Sequence, residues 1–177
     1  MAHELDRARI EAIIQAIVDR SAGEWLLVGG GLVALWLEPR RVTEDLDLVG
    51  LQGTRAERLA LMETASDLGL PVEVVNSAAD FFVHRVPDWK EQIEPFFQGK
   101  VGTVYRPAPT LFLLLKLQRL SEQDLEDCRT LLERVARDGM SLDRERVRGS
   151  LRALPPTEDK ALAKRRKALA GLLLDQV

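Results

Sequence analysis

The sequence predicts an α/β (α+β) fold, a small mixed sheet flanked by helices and continued by a C-terminal helical extension, and three observations carry that prediction. Helical periodicity occupies the first twenty residues and most of the chain after residue 109. Between them, Trp25-Leu26-Leu27-Val28 runs into Gly29-Gly30-Gly31, then a short apolar stretch to Leu37 and an alternating run from Thr43 to Val49. That order reads as strand, glycine turn, short helix, strand. Further on, Val72-Glu73-Val74-Val75 is a compact β-branched run, expected to be a third strand. The boundaries that follow are a sheet-bearing core with its N-terminal helix over 1–108 and a helical region over 109–177.

The chain of 177 residues is long enough to bury a core without disulfides or structural metal, and its 46% apolar and 30% charged residues are those of a globular protein. Its single cysteine, Cys128, excludes an internal disulfide and suits a reducing compartment, with the cytoplasm as the default. The longest apolar run, Trp25 to Leu37, is bracketed by Glu24 and Glu38 and is too short to cross a bilayer. The first twenty residues are charged throughout, so neither a signal peptide nor a membrane partner is expected. The formal charge of −3 hides a division: Met1 to Glu133 carries 14 basic and 22 acidic residues, Arg134 onward 11 and 6. The basic tail is either a solvated helix face or a surface for a polyanion such as RNA.

Taken in order, Leu5, Ile10, Ile13, Ile14 and Ile17 recur at mostly three- and four-residue spacings and predict a helix over 3–20. The strand at 25–28 and a short helix at 32–37, stopped by Pro39, follow. Thr54-Arg55-Ala56-Glu57 has the form of a capping box opening a helix over 55–68, which Gly69 ends. Phe81 to Val86 and Val101 to Tyr105 are weaker strand candidates. The second half predicts a helix over 111–120, another over 122–136 behind a Ser121-x-x-Asp124 cap, and two more opened by Ser141 and Thr157 on either side of Pro155-Pro156.

The tetrapeptide Asp45-Leu46-Asp47-Leu48 sets two carboxylates one residue apart inside an apolar run. Residues two apart on a strand face the same way, so both acids project together, their side-chain origins roughly 6.5 to 7 Å apart. Carboxylates in such surroundings call for a partner, and hard cations are the natural one. Two-metal phosphoryl-transfer sites hold their ions about 3.5–4 Å apart on oxygen ligands. Glu73, on the third expected strand, would complete the cluster or accept a proton from an attacking hydroxyl. A strand ending in Gly29-Gly30 at a helix N-terminus exposes backbone N–H groups suited to phosphate. The bland alternative is an edge strand with an acidic outer face.

Val28-Gly29-Gly30 followed by Asp45-Leu46-Asp47-Leu48 resembles the signature of the DNA polymerase β-like nucleotidyltransferases. Arg41-x-Thr43, Leu113-Leu114-Leu115-Lys116-Leu117 and Gln123-Asp124-Leu125-Glu126-Asp127 look like the AbiEii-type abortive-infection toxin branch and its uncharacterised relatives. The likeness spans residues 24 to 137. It departs from the pattern in a spacer of fourteen residues from Gly30 to Asp45 and in Gln123, which stands where relatives carry a base. The resemblance implies a metal-dependent transfer of a nucleoside monophosphate from a nucleoside triphosphate to a hydroxyl acceptor, a tRNA 3′ end or a protein, in a toxin with a cognate antitoxin. It implies Asp45, Asp47 and Glu73 as catalytic residues and ligands of two Mg2+ ions, with Mn2+ as a substitute. Gly29 and Gly30 would contact the β- and γ-phosphates, and Arg41 and Thr43 the nucleotide. Lys116 would neutralise triphosphate charge as a catalytic and nucleotide-binding residue, and Asp127 would orient Lys116 or the acceptor. Without the resemblance, Lys116 is a snorkelling lysine and Asp124 an ordinary capping residue.

Two rivals stand beside this reading. Gly29-x-Gly31-x-x-Ala34 also satisfies the dinucleotide fingerprint, with Asp47 near the position of its ribose-binding acid. Such a fold can also persist as an inactive binding or partner module. A Walker P-loop is excluded because no Gly-Lys-Ser/Thr follows the glycines.

Overall fold

The computed structural model describes residues 4–174 and divides the chain into two compact units, Met1–Pro107 and Ala108–Val177. The first is mixed α/β, as the sequence predicts, and the second is helical. No helix among the described residues is long and apolar enough to cross a membrane.

In the first unit α1 (Arg7–Arg20) is capped by Asp6, whose carboxylate accepts the Arg9 N–H, and buries Ile10, Ile13, Ile14, Ile17 and Val18. Residue 3, where this helix is expected to begin, lies outside the described residues. β1 (Gly23–Val28) delivers the chain to α2 (Gly29–Trp36), and β2 (Leu46–Gly50) follows. α3 (Arg55–Asp67) opens on the expected capping box, with Thr54 Oγ1 accepting the Glu57 N–H and the Glu57 carboxylate accepting the Thr54 N–H. β3 (Val75–Asn76), α4 (Asp80–Val83), β4 (Ile93–Gln98) and β5 (Gly102–Pro107) complete it. The sheet order is β3-β2-β1-β5-β4. β1 pairs antiparallel with β2 and parallel with β5, so Trp25, Leu26, Leu27 and Val28 are buried in succession, as in a central strand covered on both faces.

Three expectations fail here, and one strand has no counterpart among the expected elements. The run Val72–Val74 is a 3-10 turn, and only Val75 and Asn76 pair with β2. Phe81 to Val86 is not a strand: α4 occupies its start, and the buried residues Val83, Val86 and Trp89 recur at every third position, which suits helical turns rather than alternation. β4 lies in a segment to which the sequence pattern assigns no element; it contains Pro95 and lies at the sheet edge, where proline is tolerated, and the register with β5 shifts between Pro95 and Phe97. The glycines do not precede a helix starting at Leu32 but form the first turn of α2 itself.

The second unit consists of α5 (Pro109–Leu117), α6 (Glu122–Asp138), α7 (Arg144–Ala153) and α8 (Lys160–Leu172). Pro109 sits at the start of α5, where its missing N–H costs nothing. Ser121 and Asp124 form the expected capping box of α6, and Gly139 ends it with φ +64°. The last two caps differ from expectation. Asp143 rather than Ser141 caps α7, and Asp159 rather than Thr157 caps α8, each carboxylate accepting backbone N–H groups of the helix it opens. Asparaginyl and aspartyl side chains cap at least as well as hydroxyls, and in both segments the aspartate is the residue nearest the helix.

Candidate functional site

The antiparallel ladder sets Leu27 opposite Leu48 and Val28 opposite Asp47, which brings the second aspartate to the glycine turn. Gly29 has φ +70°, a conformation other residues rarely adopt. A Cβ on Gly29 would lie within overlap distance of Asp47 Oδ2 and 3.3 Å from its Cγ. The carboxylate therefore occupies the space that the missing side chain leaves, at the N-terminal end of α2. The N-cap position itself, Val28, offers no side-chain hydrogen bond. The next glycine is equally constrained, since a Cβ on Gly30 would sit 2.6 Å from Thr43 Oγ1.

Thr43 is held by a two-hydrogen-bond bridge to Leu5, with Leu5 N–H to Thr43 O at 2.7 Å and Thr43 N–H to Leu5 O at 3.1 Å. Its hydroxyl donates to Asp45 O at 3.2 Å and lies 3.5 Å from Asp45 Oδ1. Asp45 precedes β2 rather than lying in it, yet it and Asp47 are both half-buried on either side of the fully buried Leu46, so the alternation that pairs the two acids persists.

Asn76 is a residue that sequence reasoning missed. It is the β3 partner of Asp47 in the ladder, and its Nδ2 donates to Asp45 Oδ2 at 3.3 Å, so one amide touches the positions of both acids. Its own Oδ1 accepts the Ala78 N–H at 2.9 Å, which fixes the amide with its nitrogen towards Asp45. The signal available was an asparagine closing a β-branched run, which reads first as a turn residue. Glu73, the expected third carboxylate, lies instead in the 3-10 turn and is exposed. Arg41 lies between α2 and β2, half-buried, and its backbone N–H donates to Glu38 O. The first unit thus gathers Gly29, Gly30, Thr43, Asp45, Asp47 and Asn76.

In the second unit Lys116 does not snorkel outward. Its Nζ donates to Asp124 Oδ1 at 2.9 Å and Asp127 Oδ2 at 2.7 Å, and both aspartates are almost fully buried. Arg119 reaches the same Asp124 through Nε at 2.9 Å, and Gln123 Nε2 donates to Asp127 Oδ1 at 3.2 Å. Burial alone would raise the Asp124 carboxyl, but the Arg119 hydrogen bond, the Lys116 charge and hydrogen bond and the Ser121 N–H outweigh it and hold the pKa far below the usual range. Cys128 lies beneath this cluster, its thiol pushed up to about 12 chiefly by burial, with Asp124 and Asp127 adding to the rise and Lys116 opposing it. Asp127 is an ion-pair partner of Lys116, and Asp124 is both helix cap and ion-pair partner.

Among the described residues no three His, Cys, Asp or Glu side chains gather as a metal cluster. The oxygen donors of the first unit, two carboxylates beside a threonine hydroxyl, fit a hard divalent ion in kind. The strand–helix–strand unit is not the dinucleotide-binding one, since that unit requires parallel strands and a longer helix, and β1 and β2 are antiparallel. No protein-family model, curated protein or solved structure compared with the chain matches it.

Proposed function

We propose that the first unit is a nucleotidyl-transfer core that binds a nucleoside triphosphate at the Gly29-Gly30 turn and transfers its nucleoside monophosphate to a hydroxyl acceptor, releasing pyrophosphate. The observation that carries this reading is the seating of the Asp47 carboxylate against Gly29, with Asp45 alongside on the same face. Phosphate donors and cation ligands are thereby neighbours within one strand–helix–strand unit. In this reading the backbone N–H groups at the start of α2 receive phosphate oxygens, helped by the positive end of the helix. Asp45 and Asp47 hold Mg2+, with Mn2+ as a substitute, and the metal when bound supplies charge neutralisation for the triphosphate. Thr43 keeps the approach to Asp45 in place, and Asn76 sets the carboxylate's orientation. The acceptor is a tRNA 3′ end or a protein hydroxyl, and a toxin paired with a cognate antitoxin is the biological setting that the resemblance suggests.

A second reading is a nucleotide-binding module without turnover, and Asn76 favours it: the β3 residue facing Asp47 is an amide, which cannot take a proton as a third carboxylate would. One experiment separates the two. The protein with magnesium is given each labelled triphosphate in turn, with total tRNA and with cell extract, alongside Asp45→Ala and Asp47→Ala. Label transferred by the wild type and abolished in both variants supports transfer. Label that persists in both variants refutes the metal assignment, and triphosphate binding without label on any acceptor supports the module.

A further inference from the structure

Helix α8 (Lys160–Leu172) reads KALAKRRKALAGL, five basic residues and no acid. Several helical cations elsewhere have local acidic partners, as in Arg7–Glu11, Arg129–Glu126, Arg134–Asp138 and Arg148–Glu145. On α8 the two arginines are committed to backbone, Arg165 Nε donating to Leu120 O at 2.7 Å and Arg166 Nη1 to Pro155 O at 2.6 Å. The three lysines are not. Lys160, Lys164 and Lys167 are exposed, have no ion-pair partner among the described residues, and recur at four- and three-residue spacings, which puts them on one stripe about 10 Å long. The adjacent Asp159 carboxylate accepts the Ala161 and Leu162 N–H groups as the helix cap.

We propose that this stripe is a docking surface for the phosphate backbone of a nucleic acid. The opposite side of the helix is already used, because Leu169 and Leu173 are buried within the unit, so α8 has no free apolar face to sink into a lipid interface. Between the lysines lie alanines, the half-buried Leu162 and the two committed arginines, with no exposed aromatic or large aliphatic side chain to seat the side chains of a peptide. What remains is a row of point charges, suited to single phosphates and indifferent to base and sugar. This inference is independent of whether Asp45 and Asp47 act as proposed.

The test measures binding of the full chain to fluorescein-labelled oligo(U) and oligo(dT) of 24 nucleotides by anisotropy, over a salt series. Three phosphate contacts on a single strand give a slope of about −2 in log K against log salt, or about a 20-fold loss of affinity between 50 and 200 mM. Lys160→Ala/Lys164→Ala/Lys167→Ala should remove most of that dependence and weaken binding of both oligonucleotides alike at 50 mM. Alanine favours helix, so the fold should persist, and circular dichroism checks it. Arg9→Ala/Arg55→Ala/Arg58→Ala, three exposed bases of the first unit, should leave binding unchanged. Equal binding by wild type and the lysine variant overturns the proposal. So does tighter binding of poly-glutamate, or of vesicles with one quarter phosphatidylserine in phosphatidylcholine, than of either oligonucleotide.

Discussion

Replacing Gly29 by alanine tests whether the glycine turn and Asp47 are as tightly fitted as the geometry requires. Two costs arise at this position. The first is the left-handed backbone, φ +70°, which charges any residue with a Cβ about 1–2 kcal/mol. The second is overlap with Asp47 Oδ2, which forces the carboxylate aside and should add about 1–3 kcal/mol, as overpacking does elsewhere. Gly53 separates the two, since its φ is +66° and nothing lies within 4 Å of a Cβ placed there. At about 2–4 °C per kcal/mol for a chain of this length, Gly53→Ala should lower the thermal midpoint by about 2–8 °C, and Gly29→Ala by about 4–20 °C. The decisive measurement is a double-mutant cycle by calorimetry. In an Asp47→Ala background, where the nearest remaining atom of residue 47 would be its Cβ at 3.6 Å, the cost of Gly29→Ala should fall to that of Gly53→Ala. A Gly29→Ala no costlier than Gly53→Ala, or a cost that Asp47→Ala does not relieve, would refute the fit.

Lys116→Met leaves Asp127 and Asp124 buried without their shared cation and should destabilise the protein by about 3–5 kcal/mol at pH 7 by urea unfolding. Because the folded pKa of Asp124 is depressed, its contribution is present above the unfolded value near 4 and is lost as pH falls through the folded one. The difference between wild type and variant should therefore shrink progressively below about pH 4, and a constant difference down to pH 2.5 would contradict the ion-pair account. Cys128, buried with its thiol at about 12, should react with a disulfide reagent at pH 8 at least ten times more slowly in the native protein than in 6 M urea; stoichiometric native labelling within minutes would show the site to be open. Asn76→Asp adds a carboxylate beside Asp45 and Asp47, so the variant should melt lower than wild type in chelator and regain stability on adding Mn2+; loss that the metal does not reverse would argue against a cation site.

What was legible in the sequence was what local chemistry decides. The strand into the glycines, the Thr54/Glu57 and Ser121/Asp124 capping boxes, the amphipathic α1 and α6, and the shared face of Asp45 and Asp47 all follow from spacing and residue type within a few positions. Errors arose where pairing across the sheet decides. The Val72–Val75 run has strand chemistry throughout, but only its last residue finds β2, so Glu73 turns to solvent and Asn76 inherits the place beside the aspartates. β4 carries Pro95 within it, which its position at the sheet edge permits. Lys116 could be read as a phosphate ligand beside Asp127 or as a snorkelling lysine, and neither anticipates that Asp124, read as a capping residue, would bind it as well.

The pairing of Val28 with Asp47 has a consequence for how this chain can vary. The fourteen-residue spacer between Gly30 and Asp45 does not gauge the separation of turn and carboxylates, because hydrogen bonds between adjacent strands do. Insertions or deletions in the stretch from Glu38 to Val42 should pass with little effect on either. A slip of β2 by a single residue is another matter: it would present Leu46 or Leu48 to Gly29 and turn both acids to the opposite face. Length is the loose dimension of this segment, and parity is the strict one.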